Sequence, residues 1–466
     1  MKKNILTFLK YFLILPVFLF APACKKGFLD AKPNSSIVTP KTLDDLEGLL
    51  KNNLITQSTP GLSQMACDDY VFAGYNEWQS ANTVERNSYI WSKDIFQGAN
   101  NVWAWSYPYL GAFYSNNALE GLDKIEMTPA NSSQYKQIKG WAYFVRAFMF
   151  YDLARHFSPV YNAATAHTDL GIPLKLRTEI DEVVPRSSLQ QTYDQIFIDI
   201  NRAIPLLNNL PESKRNRPSK VSAYALASRI SLSMRNYPKA EAYADSTLRL
   251  YNNLIDYNTV DTVTETPFLI DNQEVLYSAT TPGIYFEING KTTTNTSVIP
   301  NPDIVSSYQQ FDLRKPIFFI TNPIGQLSMK HGYEGLFSAY PFSGLALDEI
   351  YLIKAECLAR RGEIIQSMTW LNNLLIKRFS TGNFVPVSAA NAAEALLIVL
   401  GERRKELIWR TLRWDDLKRL NLEGANITLT RVLNGQTYSI APNDSRYVFP
   451  IPDDEIALSG IQQNKR

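Results

Sequence analysis

Histidine and cysteine are scarce in this chain, and their scarcity removes whole classes of chemistry. Of 466 residues, three are histidine (His156, His167, His331) and three are cysteine (Cys24, Cys67, Cys357). No HExxH, CxxC, GxSxG, glycine-rich phosphate loop or EF-hand loop occurs. Zinc hydrolysis, dithiol exchange, triad acyl transfer and nucleotide cradling therefore lack their usual residue patterns, and no cofactor is expected. An excess of one charge is also missing. Against 47 basic residues stand 45 acidic ones, a net +2, whereas a nucleic-acid partner demands a concentrated basic face. Beyond the first two dozen residues, no apolar run approaches the ~20 residues of a membrane-spanning helix.

Glycoside hydrolysis stays open on composition, because its two carboxyl groups, ~5–9 Å apart, can come from anywhere in a chain. Asp68-Asp69 and Asp453-Asp454 are adjacent pairs, but neighbouring acids point apart into water, and neither is expected to be a catalytic couple. Cys67 and Cys357 are able to pair in an oxidising compartment. Cys357, however, lies in a helical run and is expected to pack as a small apolar side chain.

What is present begins with an export signal. Lys2 and Lys3 give a basic start, residues 11–20 are nearly all apolar, and Ala21-Pro22-Ala23 supplies small residues just before Cys24. Cys24 is the expected lipidation position and first mature residue; each buried acyl methylene adds ~0.8 kcal/mol of membrane affinity. A cleaved signal with an incidental cysteine, or an uncleaved anchor, are the alternatives. Residues 24–37 are polar, with Gly27 and Pro33, and suit a tether. The remainder, 38–466, is expected to be a single domain.

Its fold is read as mostly α, built of tetratricopeptide-like helix hairpins with long loop-rich inserts and a few short strands. A short helix is expected over 42–52, then a buried one over 135–156, where Ile138, Trp141, Ala142, Val145, Met149 and Leu153 recur at three and four. Ser187 with Gln190 reads as a capping box opening the next helix, which Pro205 ends or kinks. Residues 221–235 with 237–250, and 346–361 with 363–377, share a helix–turn–helix plan, with Gly362 at the second turn and small residues such as Ala223, Ala227, Ser228, Ala355 and Ala359 at the contacts. Between them, Glu274 to Ser278 reads as a strand. The inserts fall at about 58–109 and 256–343.

The charged run Glu402-Arg403-Arg404-Lys405-Glu406, with Arg410, Arg413, Asp415, Asp416, Lys418 and Arg419 beyond it, is interleaved with Leu407, Ile408, Trp409, Leu412, Trp414 and Leu417. That pattern predicts amphipathic helix held by ion pairs three and four apart, not a phosphate grip. The first insert differs: Tyr70, Tyr75, Trp78, Tyr89, Trp91, Trp103 and Trp105 sit among Asp69, Asn76, Gln79, Asn82, Arg86, Asn87, Asn100 and Asn101. A sugar ring offers an apolar C–H face and a hydroxyl edge, so flat aromatics beside amides, carboxylates and guanidinium groups suit it. Trp78 and Trp91 are the expected platforms, with Asp69, Tyr75, Asn76 and Arg86 as contacts. Trp105 and Tyr109 are expected in the core.

Several phrases resemble the SusD/RagB family of outer-membrane nutrient-binding lipoproteins: Cys24 followed by Phe28-Leu29-Asp30; Glu402-Arg403-Arg404-Lys405-Glu406-Leu407 with Arg413-Trp414-Asp415-Asp416-Leu417-Lys418-Arg419; and Phe449-Pro450-Ile451-Pro452-Asp453-Asp454-Glu455-Ile456. Their order spans the chain from Cys24 to its end. The resemblance implies a noncatalytic, surface-exposed, lipid-anchored protein that captures glycans in variable loops for a SusC-like TonB-dependent transporter. A peptide ligand within the same family, a surface glycan-cleaving enzyme, and a helical scaffold without a small ligand are the rival readings.

Overall fold

The computed structural model describes residues 40–281, 296–335 and 340–466. The export segment, Cys24 and the tether lie outside them, and the body begins at Thr42. Its first helix, Leu43–Leu50, opens on a capping box: the Thr42 hydroxyl accepts from the Asp45 N–H at 3.2 Å, and the Asp45 carboxylate accepts from the Thr42 N–H at 3.0 Å. Both groups satisfy amides that a helix start leaves unpaired.

Two long helices, Trp103–Leu122 and Ser132–Phe157, pack along each other, and Leu189–Ala203 packs on the second. Every residue from Phe144 to Phe157 is buried, as a stripe widened by aromatics requires. Within that core Arg146 grips Asp199 through two bonds of 2.8 and 2.6 Å and donates to the Asn116 carbonyl oxygen at 2.9 Å, tying three helices at one point. The capping box of Leu189–Ala203 is Ser188 with Gln191, one residue beyond the expected pair. Ser187 is held in the short strand Arg186–Ser188, where its hydroxyl donates to the Ile172 carbonyl at 2.8 Å.

The two helix hairpins are Lys220–Ser233 with Tyr237–Leu250, and Leu347–Arg360 with Ile364–Leu375. Their turns use left-handed residues, Arg235 and Gly362. Each pair is stapled alike, by a buried serine on one helix donating to a carbonyl on the other: Ser228 to Ala240 at 2.9 Å and Ser367 to Ala355 at 2.7 Å. Small residues make so close an approach possible. Leu347–Arg360 also packs against Tyr237–Leu250 and Ala392–Glu406, joining the hairpins into one stack.

Strands among the described residues are short antiparallel pairs: Tyr70–Phe72 with Val298–Pro300, Val275–Tyr277 with Leu345–Ala346, Leu170–Pro173 with Arg186–Ser188, Phe319–Thr321 with Leu327–Met329, and the hairpin Leu429–Leu433 with Gln436–Ile440. Asn434 and Gly435, both with positive φ, form the turn of the last. One large apolar core runs through the helices, and a satellite around Tyr257, Phe268, Ile317, Tyr333 and Phe342 is formed within the second insert.

The charged run forms two helices, Ala392–Glu406 and Arg413–Leu422, broken where Trp409 and Thr411 take positive φ. Its pairs do lock the fold, but most reach other elements. Arg419 holds Glu356 at 2.5 and 2.9 Å, Arg403 holds Asp416 at 2.9 Å, and Glu406 accepts from Arg378 at 2.7 Å and Arg314 at 3.1 Å. Cys67 and Cys357 are both free and buried.

Candidate functional site

The first insert folds into two short helices, Tyr75–Ser80 and Thr83–Tyr89, joined at Asn82. Asn82 caps the second, its carbonyl oxygen accepting from the Glu85 N–H at 3.0 Å, and its amide donates to the Glu85 carboxylate. Ahead of them Tyr70–Phe72 pairs with Val298–Pro300, and the Phe72 N–H donates to the Tyr89 hydroxyl at 3.3 Å. The short hairpin is thus anchored at both ends.

Tyr75 and Trp78, three residues apart on one helix, face the same side. Their ring centroids lie 5.6 Å apart with planes tilted by 34°, and both rings are half-buried. The indole N–H is spent on the Arg86 carbonyl at 3.2 Å, so Trp78 has its ring face left to offer. Polar groups edge the rings. Gln79 donates to the Tyr75 hydroxyl at 2.8 Å, leaving that O–H able to donate onward, and the Arg86 guanidinium donates to the Gln79 carbonyl at 2.6 Å, its other N–H groups uncommitted among the described residues. Asn76 is exposed beside them. Apolar faces beside amide and guanidinium donors match the two sides of a sugar ring.

Two expected contacts do not join this group. Trp91 is 2% exposed: it sits at positive φ, its indole donates to the Ala66 carbonyl at 2.9 Å, and the Arg431 guanidinium covers its ring at 4.7 Å. It is a structural plug, not a platform. Asp69 is 1% exposed, its carboxylate accepting from the Trp409 N–H at 3.1 Å and its carbonyl from the Asn301 N–H at 2.9 Å. Burial pushes its carboxyl pKa up, and the neighbouring Asp68 charge adds to that. Asp69 braces the loop from beneath.

Of the adjacent acids, Asp68 and Asp454 are both engaged by the fold. Although burial opposes it, the Arg413 and Arg404 guanidinium groups, 2.8 and 2.9 Å away, hold the Asp68 carboxyl well below the usual range. Asp454 accepts from the Asn101 N–H at 2.6 Å. Glu274 is pushed up to about 7, chiefly by burial, but it is enclosed with Arg378 and Tyr333 beyond the reach of any substrate. Among the described residues no cluster able to hold a metal ion occurs, and no helix is long and apolar enough to cross a membrane.

Trp105 and Tyr109 are buried in the core, as read from the sequence. A second ring pair on the same helix escaped that reading: Trp103 and Tyr107 stack at 4.1 Å with 18° between planes. The four-residue spacing was a usable signal, since it brings neighbours together on a helix. Arg431, contributed by the Leu429–Leu433 strand, carried no local signal at all.

The chain matches a family described as starch-binding and associating with the outer membrane over residues 27–232, and the SusD family over residues 338–465. SusD-like protein P2 of Formosa agariphila is 24% identical over 481 residues, covering 89% of this chain and 90% of the relative. A SusD superfamily protein from Bacteroides vulgatus superposes with TM-score 0.73 at 21% identity, covering 91% of this chain and 99% of that one. A SusD-like carbohydrate binding protein from the same species gives 0.68 at 20% identity over 90% and 97%. These likenesses show a shared fold.

Proposed function

Because the chain belongs to the SusD/RagB family, we propose that it is a noncatalytic, surface-exposed outer-membrane lipoprotein, anchored through Cys24, that binds nutrient oligosaccharides and delivers them to a SusC-like TonB-dependent transporter. The half-buried Tyr75–Trp78 pair edged by Asn76, Gln79 and Arg86 carries this reading. In this role the tilted rings take the C–H face of one sugar unit, and the Gln79, Arg86 and Asn76 groups reach its hydroxyls. Glycan binding is further supported by the family description over residues 27–232 and by a structural neighbour described as carbohydrate binding.

A glycan array followed by calorimetry on the soluble body tests the binding step. Trp78→Ala should weaken binding of the captured oligosaccharide about tenfold, or roughly 1.4 kcal/mol, and Trp91→Phe should leave affinity nearly unchanged in folded protein. Affinity untouched by Trp78→Ala would remove the platform. Release of shortened products from the same glycans would instead establish an enzyme. Purification from native membranes tests delivery: a large outer-membrane barrel should co-purify, and its absence would remove the transporter role.

A further inference from the structure

We infer that the body holds a second, separate carbohydrate site, in the cavity where residues 460–465 cross the end of the Ser132–Phe157 helix. This cavity measures about 590 Å³, inside the ~300–1,000 Å³ span of small-ligand pockets. It shares no lining residue with the Tyr75–Trp78 platform.

Its walls are built and braced. Asn464 donates to the Phe157 and Phe449 carbonyls at 2.9 and 2.8 Å, Gln463 bonds Ile451 in both directions at 2.7 and 2.8 Å, and Arg186 donates to the Gln462 carbonyl at 2.9 Å. A crossing segment tied at so many points is pre-organised, so a ligand need not order it.

The chemistry of the lining names the ligand class. Leu170, Leu422 and Val448 give an apolar patch suited to C–H groups. Around it stand polar groups that the fold has not used: among the described residues the Ser445 hydroxyl, the Asn162 side-chain NH2 and the Gln462 side-chain amide make no hydrogen bond within the protein. Lys418 is buried on the same wall. Two of its ammonium hydrogens go to the Arg155 and Ser158 carbonyls at 2.8 and 3.3 Å, and the third is left over. Those carbonyls end the Ser132–Phe157 helix, whose dipole balances the lysine charge, so the cavity does not call for an anion. Asp169 on the rim accepts from Thr165 at 2.6 Å, keeps its second oxygen for a hydroxyl donor, and repels negative ligands. Amides, hydroxyls, two carboxylates (Asp169, and Asp444 paired with Arg446) and two ammonium groups (Lys418 and Lys465), balanced in charge around a small apolar patch, fit a neutral polyol ring of mono- to disaccharide size. This ligand class follows from the lining alone and stands whether or not the platform proposal survives.

The test uses ligand-detected saturation-transfer NMR on the Trp78→Ala protein, with maltose, cellobiose, xylobiose and laminaribiose as neutral probes and digalacturonate as the acidic one. At least one neutral disaccharide should give transfer. Blocking the rim with Thr168→Trp, or independently with Ser445→Trp, should reduce that signal about tenfold in protein with unchanged melting temperature; both positions are exposed. No transfer from any neutral probe, transfer unaffected by both blocks, or block-sensitive transfer from digalacturonate alone would each overturn the proposal. Failure of the platform would appear separately, as unchanged affinity in Trp78→Ala for the array-selected oligosaccharide.

Discussion

Arg419 makes bonds of 2.5 and 2.9 Å to Glu356 and one of 2.8 Å to Asp416, all buried. Glu356→Ala would leave that guanidinium half-compensated away from water, so a loss of about 3–5 kcal/mol is expected, read as a lower urea midpoint. Replacing Glu356 and Arg419 together with leucine and methionine should recover most of it. Asp416 and His156 set the acid limit. Burial alone would raise the Asp416 pKa, but Arg403 and Arg419 outweigh it and hold it at about 2, below the ordinary 3.8. A depressed folded pKa contributes stability above the unfolded value and loses it as pH falls, here from about 4 to about 2, worth roughly 2 kcal/mol. His156 is depressed below its usual 6.5, first by burial and then by the Arg155 and Lys418 charges. Its contribution therefore begins to fade as pH drops below about 6.5. Melting temperatures across acidic pH should show both declines, and His156→Phe should remove the earlier one. Trp78 and Trp91 look alike in sequence, each an aromatic among small polar residues. What separates them is the Arg431 side chain, which no local pattern reveals.

Among the elements, the helix that follows Ser188 shows where sequence pattern loses a single register. The stretch Ser187-Ser188-Leu189-Gln190-Gln191 contains two overlapping capping boxes, and strand pairing decides between them by engaging Ser187 with Ile172. Ser188→Ala should thus cost about 1 kcal/mol of unfolding free energy. At Gly344 the constraint is space: a Cβ there would lie 2.1 Å from the Tyr277 carbonyl oxygen and 2.8 Å from the Ala279 nitrogen. Gly344→Ala must push apart the Val275–Tyr277 and Leu345–Ala346 strands, and a loss at or above the ~1–3 kcal/mol typical of overpacking is expected by chemical denaturation. The helix hairpins were legible because their apolar period and small contact residues are local facts. The strand from Glu274 to Ser278 was legible too, as a short apolar run, though not its partner at Leu345–Ala346. The charged run misled only in where its partners lie: side chains three and four apart were visible, whereas Glu356, Arg378 and Arg314 come from elsewhere in the chain.

For the whole molecule, a ligand that binds the folded body and not the unfolded chain stabilises it by RT ln(1 + [L]/Kd), ~2.7 kcal/mol at a hundredfold excess over Kd. An oligosaccharide selected on the array should therefore raise the melting temperature of the wild-type body, and Trp78→Ala should shrink that rise at the same ligand concentration. Fold class was readable from helical period in 38–466, and the aromatic content and loop-like composition of the first insert singled out the Tyr75–Trp78 pair as a candidate. The closing of the site was not, because it depends on contacts made across nearly the full length of the chain. The 460–465 cavity was equally hidden, since its walls come from four stretches that nothing in the sequence links.

Arg431 lies 3.6 Å from the centre of the Tyr89 ring and donates to the backbone carbonyls of Tyr89 and Cys67, the former 342 positions earlier. During synthesis or emergence from a translocation channel, the aromatic hairpin must wait for this arginine before its underside can set. Helical pairs, whose contacts are near in sequence, are free to form first, while long-range closure comes late. The Tyr75–Trp78 hairpin thereby sets late, after residue 431 has joined the fold.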